Sequence, residues 1–304
     1  MIEIKVVNEY SMLEDVVLGI ADDIGNVPKV SECYDPKTKI HVKAKLFPQE
    51  IHLKSQLSEF VQVLERYNVN VIRPRKIEKL NQIFSRDIAF VIENILFIPN
   101  IINERSKEQL GIFDLVKKIS PKNIDRLSND VFIEGGDIIQ NGSDIFIGYS
   151  KESDFLKYKV ARTNEKAVNY IKKKFPKKNV YSFELNKDDE NPFKNTLHLD
   201  CCFQTLGNGF LLIHEKSFKN KSDLIKIYDL FDEKKVIKIS DDEMYNLNCN
   251  LFSISENVIV SSKEFKRVNI LLRKNNFIVE EINFSEISKL GGLFRCTSLP
   301  LKRK

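Results

Sequence analysis

A chain of 304 residues, 42% hydrophobic and 30% charged, has the make-up of an ordinary globular protein. No apolar run approaches the roughly 18 residues of a membrane-spanning helix, and Met1–Val7 is too short and too acidic for a secretion signal. The net charge of +5 includes basic clusters at Lys172–Lys174, Lys177–Lys178 and Lys302–Lys304, but acids are interleaved with them, so solvated faces are expected there and no nucleic-acid partner. Five cysteines, two of them adjacent, suit a reducing compartment, and the expected location is cytoplasmic.

Along the chain, Val16-Val17-Leu18 reads as a first inner strand. Residues 21–49 form a long loop. Leu53, Leu57, Phe60, Val61 and Leu64 recur at helical spacing, and Val69–Ile72 is the strand that follows. Ile88–Val91 and Ile95–Ile98 make a hairpin around Glu93-Asn94. A less regular helix carries Leu110, Phe113 and Val116. A second hairpin joins Ile138-Ile139 to Ile145–Ile147 through Asn141-Gly142-Ser143, where Asn and Gly supply the positive φ of a tight turn. Asn164 caps a helix bearing Ala167, Val168 and Ile171, and Val180–Phe183 comes after it. A second long loop spans 185–197. A third hairpin, Phe203–Leu206 with Phe210–Ile213, precedes a helix marked by Leu224, Ile227 and Phe231 and the strand Val236–Ile239. A fourth, Leu251–Ile254 with Val258–Val260, precedes Ser261-Ser262-Lys263-Glu264, a capping box for a helix bearing Phe265, Val268 and Leu272. Phe277–Ile282 closes the series. The unit is hairpin, helix, strand, about five times over. The first strand completes the unit opened near the C-terminus, so the ring closes through the chain ends, in one catalytic domain over 1–304.

Each inner strand is preceded by a residue capable of chemistry. These are Asp87, Asp137, Asp200, Asn250 and Cys296, at intervals of 50, 63, 50 and 46 residues. A period of that order marks a propeller or array, in which equivalent positions converge on the axis. Cys296 follows Arg295, which favours a thiolate, and Gly291-Gly292, which let the backbone approach a ligand. His198-Leu199-Asp200 puts His and Asp on the same side of a strand. Glu134-Gly135-Gly136-Asp137 leaves two carboxylates exposed in a pocket. Taken singly, each of these is a buried small residue, a strand-edge ion pair or a solvated turn. Taken jointly, a cysteine, a histidine and several acids at equivalent positions point to one site.

These motifs resemble the guanidino-group-modifying enzymes of the five-bladed α/β-propeller, or pentein, fold. That superfamily includes arginine deiminases, dimethylarginine dimethylaminohydrolases, agmatine deiminases and amidinotransferases. Asn81-Gln82-Ile83-Phe84-Ser85-Arg86-Asp87 is similar to the deiminase Asn-x-x-Phe-Thr-Arg-Asp segment. Glu134-Gly135-Gly136-Asp137 resembles the hydrolase branch. Gly148-Tyr149-Ser150 with Arg162-Thr163-Asn164 resembles a Gly-x-Ser-x-Arg-Thr-Asn signature, but Lys151–Ala161 intervenes where the family leaves one residue. His198-Leu199-Asp200, the Cys296-Thr297-Ser298-Leu299-Pro300 run and the opening Asn8-Glu9-Tyr10 complete the resemblance.

The resemblance implies an α/β five-bladed propeller acting on a small guanidino compound. Asp87 and Asp200 would grip the guanidinium, Cys296 would attack its carbon, and His198 would carry protons, oriented by Glu134. Asn81 would contact substrate, and Arg162 or Arg86 would meet a substrate carboxylate. No metal or organic cofactor is called for. Hydrolysis to a ureido product is the first expectation. Transfer of the amidino group to an amine is the alternative, and a non-catalytic ribosome-binding propeller is the third.

Overall fold

A computed structural model describes residues 1–304, and five three-stranded sheets make up its architecture. β1 (Leu13–Leu18) is the middle strand of the first sheet and runs parallel to β2 (Asn70–Ile72). The other four sheets follow in chain order. They are β3 (Phe90–Ile92), β4 (Ile95–Ile98) and β5 (Ile124–Arg126); β6 (Ile138–Asn141), β7 (Asp144–Tyr149) and β8 (Asn179–Glu184); β9 (Phe203–Thr205), β10 (Leu211–Ile213) and β11 (Val236–Lys238); and β12 (Phe252–Ser253), β13 (Val258–Ser262) and β14 (Ile278–Ile282). In each, the middle strand pairs antiparallel with the inner strand and parallel with the outer one. β15 (Ser298–Arg303) lies antiparallel against β1, so the first sheet is built from both ends of the chain. This matches the five-unit propeller reading.

Most expected elements are present within a residue or two. The Glu50–Arg66 helix buries Leu53, Leu57, Phe60 and Leu64 on one face, and Asn164 accepts from Ala167 N at 3.1 Å to cap the Glu165–Lys174 helix. Three expectations fail. Residues 103–112 are 3-10 helix, followed only by a single α-helical turn at Phe113–Val116. The capping box is not at Ser261–Glu264, because the helix there starts at Lys266 with Phe265 as an uncapped N-cap. The reciprocal box forms instead between Ser240 and Glu243, ahead of the Asp241–Tyr245 helix. The third failure concerns the start of the inner strands. Asp200, expected on a strand with His198, lies on a helical turn at Leu199–Cys201, and like turns precede the other inner strands at Ser85–Ile88, Gly135–Asp137, Leu247–Asn250 and Leu293–Thr297.

The core lies between sheets and outer helices. Phe60 meets Phe252, Phe284 and Phe294 edge-on at 5.5–5.8 Å. Phe294 is two residues before Cys296, so this aromatic cluster holds the base of the cysteine loop. The loops expected at 21–49 and 185–197 pack on each other. The first contains the Pro36–Lys43 helix, and Lys39 Nζ reaches the Asp189 carbonyl at 3.1 Å and Glu190 at 2.6 Å. Lys37 Nζ donates to the Tyr245 carbonyl at 2.8 Å. No helix is long and apolar enough to cross a membrane.

Candidate active site

The five helical turns are stitched into a ring by hydrogen bonds between neighbours. Asp87 Oδ1 accepts from Gly136 N at 3.2 Å, and Asp137 Oδ1 accepts from Leu199 N at 2.9 Å. Asn250 Nδ2 reaches the Asp200 carbonyl at 3.4 Å, while Asn250 Oδ1 accepts from Arg295 N and Cys296 N at 3.1 and 3.2 Å. The Cys296 carbonyl accepts from Arg86 N at 3.0 Å and closes the ring. The polar residue repeated at these turns therefore also holds the fold together, because it satisfies backbone donors that the turn leaves buried. Helical turns also dispose side chains differently from a strand. His198 is extended, with Asp200 on the 3-10 turn after it, and their side chains meet different partners. The expectation that strand alternation aligns them is corrected by this turn.

Cys296, His198, Glu134, Asp87 and Asp200 are all buried around this ring. Cys296 Sγ lies 3.1 Å from Asn250 Nδ2 and 3.8 Å from Asp200 Oδ2. His198 Nε2 is 2.9 Å from Glu134 Oε2, and its Nδ1 is 3.7 Å from Asp87 Oδ1. Gly136 is needed here, because a Cβ would sit 2.7 Å from the His198 ring. Gly292 has the same role, since a Cβ would come within 2.9 Å of Cys296 Cβ and within 2.5 Å of Phe84 Cε1. Phe84 thus borders the nucleophile with an apolar face.

Electrostatics sets the protonation states. Burial works against a charged His198, but Asp87, the Glu134 hydrogen bond and Asp137 outweigh it and raise its pKa to about 9. His198 is an imidazolium at neutral pH. Burial also disfavours ionised Glu134, yet Arg162 and His198 beside it hold its pKa below the usual carboxylate range. Cys296 goes the other way. Burial, then the Asp200 and Asp87 carboxylates, push its thiol well above its ordinary value. Arg295 does not offset this. Its guanidinium points to Asp200 at 2.8 Å and to Glu9 at 3.1 Å, so the expected thiolate-favouring neighbour serves the acids instead.

Of the two arginines expected at a substrate carboxylate, Arg162 is fully engaged. Arg162 Nη1 is 3.1–3.2 Å from both Glu134 oxygens, and its Nη2 donates to the Tyr34 carbonyl. The 151–161 insertion, with its Glu152–Lys157 helix, loops out and returns, since Ser150 N still donates to Thr163 O at 2.9 Å. Arg86 Nε donates to the Arg295 carbonyl at 3.3 Å, while its buried Nη2 stands 3.9 Å from Glu9 with no hydrogen-bond partner. Asn81 Oδ1 is engaged by Ile83 N, and its side chain lines a cavity beside the site.

Two residues of the site are given no chemical role by the sequence motifs. Asn250 stands at the repeat position, which is the signal that could have found it. Arg105 has no such signal, because it lies in the irregular 103–112 helix. It is buried, holds Asp87 at 2.6 Å and Glu108 at 2.8 Å, and stands 3.8 Å from Glu134. Asp87, Glu134 and His198 place ligand atoms within 4.8 Å of one another and could face a metal ion, but Arg105 and the His198–Glu134 bond already engage them.

The model of the family described as N,N dimethylarginine dimethylhydrolase, eukaryotic, matches residues 40–303. The chain belongs to this family. It is an enzyme of the guanidino-modifying pentein superfamily. It is 29% identical to the uncharacterized protein YkgA of Bacillus subtilis, over 97% of this chain and 94% of that one. It is 23% identical to an arginine deiminase of Listeria monocytogenes, over 74% of this chain and 62% of that enzyme. The fold is that of the substrate-bound N-terminal domain of ArgZ, a cyanobacterial arginine dihydrolase, with a TM-score of 0.78 at 18% identity over 95% and 98% of the two chains. It is equally that of the inosamine-phosphate amidinotransferase StrB1 from Streptomyces griseus, with a TM-score of 0.77 at 14% identity over 99% and 97%.

Proposed function

We propose that this family member is a cysteine hydrolase that converts a guanidino compound to a ureido product, releasing ammonia or an amine. The observation that carries the reading is the pairing of a buried thiol 3.8 Å from Asp200 with a His198 held at 2.9 Å by Glu134 and 3.7 Å from Asp87. Two carboxylates, Asp87 and Asp200, act on the thiol and suit a planar guanidinium held against it. Binding that cation neutralises the same anions that raise the Cys296 pKa, so the substrate itself favours the thiolate. The thiol proton passes to solvent, the sulfur attacks the guanidinium carbon, and the tetrahedral adduct forms. His198 gives its proton to the departing nitrogen, leaving a covalent thiouronium on Cys296. His198, now neutral, takes a proton from water, which attacks the same carbon and releases the thiol. Glu134 keeps the ring oriented, and Arg162 keeps Glu134 in place.

The test is a panel of guanidino compounds assayed for ureido product and released amine, with and without glycine, ornithine or lysine as acceptor. A rate indifferent to acceptor is expected. A strict acceptor requirement, with the guanidino carbon recovered in a new guanidine, would replace hydrolysis with amidino transfer.

A further inference from the structure

The Pro36–Lys43 helix follows Tyr34, whose carbonyl holds Arg162, and the residue that begins it is unusual. Asp35 is 5% exposed, and its Oδ1 accepts from Thr38 N at 2.8 Å as the helix N-cap. No lysine or arginine nitrogen stands within 4 Å of the carboxylate, although the Thr38 side chain and the more distant Arg162 and Lys37 act on it. A buried carboxylate without a cation is costly, and proteins seldom keep one without use. Burial accordingly raises its pKa. Most buried acids at the site have a cation: Asp87 and Glu108 have Arg105, Glu134 has Arg162, and Asp200 has Arg295, while Asp137 is held by Thr163 Oγ1 and Leu199 N instead.

Asp35 also lies close to the charges around the site, since Glu108 on the same cavity wall shares Arg105 with Asp87. A Cβ on Gly291 would meet Asp35 Oδ1 at 2.9 Å, and Gly291 is five residues before Cys296. Asp35 lines a cavity of about 170 Å³ together with Tyr34, Asn81, Glu104 and Glu108. Glu32 is a further acid on its wall, and no lysine, arginine or histidine lines it. Glu104 and Glu108 already have partners in Lys159 and Arg105. Glu32 and Asp35 are the wall acids with no lysine or arginine within 4 Å, and of the two only Asp35 is buried.

We infer that Asp35 is the counter-ion for an ammonium group at the far end of the substrate, so that the enzyme selects guanidino compounds carrying a second, aliphatic amine over those ending in a carboxylate or a plain alkyl group. This rests on the guanidino reading of the site. An ammonium in the cavity would supply Asp35 with the charge-assisted hydrogen bond it lacks, while a terminal carboxylate would meet only acids there. Arg162, one of the two arginines that resemblance assigns to a carboxylate, is engaged with Glu134 and the Tyr34 carbonyl, which is consistent with that selection.

The test uses three ligands of one chain length: butylguanidine, its terminal-amine analogue and its terminal-carboxylate analogue. Each is titrated calorimetrically against the Cys296→Ser protein and against the same protein carrying Asp35→Asn or Asp35→Ser. Asn and Ser both cap helices, so the start of the Pro36–Lys43 helix is kept. The amine analogue is expected to bind on the order of tenfold tighter than butylguanidine, and the carboxylate analogue most weakly. In both Asp35 variants the ratio of amine to butyl affinity should fall towards one, a change that loss of helix order alone would not produce. Equal affinities in the parent, or an amine advantage that survives both substitutions, would overturn the assignment. Ureido product is assayed in parallel with Cys296 intact. Ureido product without an amine advantage sinks the Asp35 assignment and leaves the hydrolase reading standing. An amine advantage lost with Asp35, but no ureido product from any of the three, does the reverse. If none of the three binds, both fall.

Discussion

At the scale of single residues, the chemistry depends on two opposed protonation shifts. Cys296 is held as a thiol, while His198 is held as an imidazolium up to about pH 9. For the proposed reaction, ionising the thiol makes kcat/KM rise with pH from neutrality. Loss of the imidazolium makes it fall as pH passes about 9, because the leaving nitrogen then finds no proton. Glu134→Gln removes an anion that raises the His198 pKa, so the alkaline limb should move to lower pH. A pH–rate profile of both proteins checks this, and an unmoved limb would detach Glu134 from His198. Cys296→Ser should retain less than about 1% of the parent rate, since a serine hydroxyl there has no base to ionise it. Product analysis under single-turnover conditions reads that directly. The same shifts act on stability. A His198 pKa raised above its unfolded value contributes stability that is fully present below about pH 6.5 and is lost as pH climbs through about 9.

At the scale of elements, Asn164→Ala should destabilise the protein by about 1 kcal/mol, because Asn164 Oδ1 caps the Glu165–Lys174 helix. Glu264→Ala should fall within about 0.5 kcal/mol of the parent, because no box forms there. Urea titration of both variants measures the contrast, and equal losses would contradict the observed caps. The pair also marks what was legible in the sequence. Ser261-Ser262-Lys263-Glu264 has the right residue types, but Ser262 belongs to β13, which pairs with β14 through Ile282, so sheet pairing overrides the local signal. Apolar periodicity located most helices and strands, because burial on one face is local information. The helical turns before the inner strands left no such trace. They are set by hydrogen bonds to the neighbouring turn, 46–63 residues away between the equivalent side chains. Hence Asp87, Asp200, His198 and Cys296 could be placed together from their spacing, while the directions of Arg86, Arg162 and Arg295 could not. Each of these arginines chooses among several buried acids, and only three-dimensional packing decides which.

At the scale of the whole molecule, the site exists only if the ring is closed. Cys296 sits at the end of the last turn, and β15 follows it directly into the first sheet, where Val17 pairs with Leu299 and Val16 with Pro300. Leu299 and Leu301 are fully buried and pack with Val17, Ile88, Val91 and Leu96, so the strand after the nucleophile is held by the first and second sheets together. Arg303 adds bonds to the Ser11 and Ser253 carbonyls at 2.6 and 2.8 Å, which tie the fifth sheet to both chain ends. Leu301→Ala leaves a cavity in this seam and should cost about 2–5 kcal/mol. It changes no group in contact with Cys296. If the ring behaves as one cooperative unit, the near-ultraviolet signal of the nine tyrosines and the far-ultraviolet helix signal should shift to the same lower urea midpoint. Reaction of Cys296 with a guanidine-like alkylating probe should be lost at that midpoint too. Loss of probe reactivity well before the spectroscopic transition would show that the seam opens by itself, and that closure of the ring is a local event rather than a property of the whole fold.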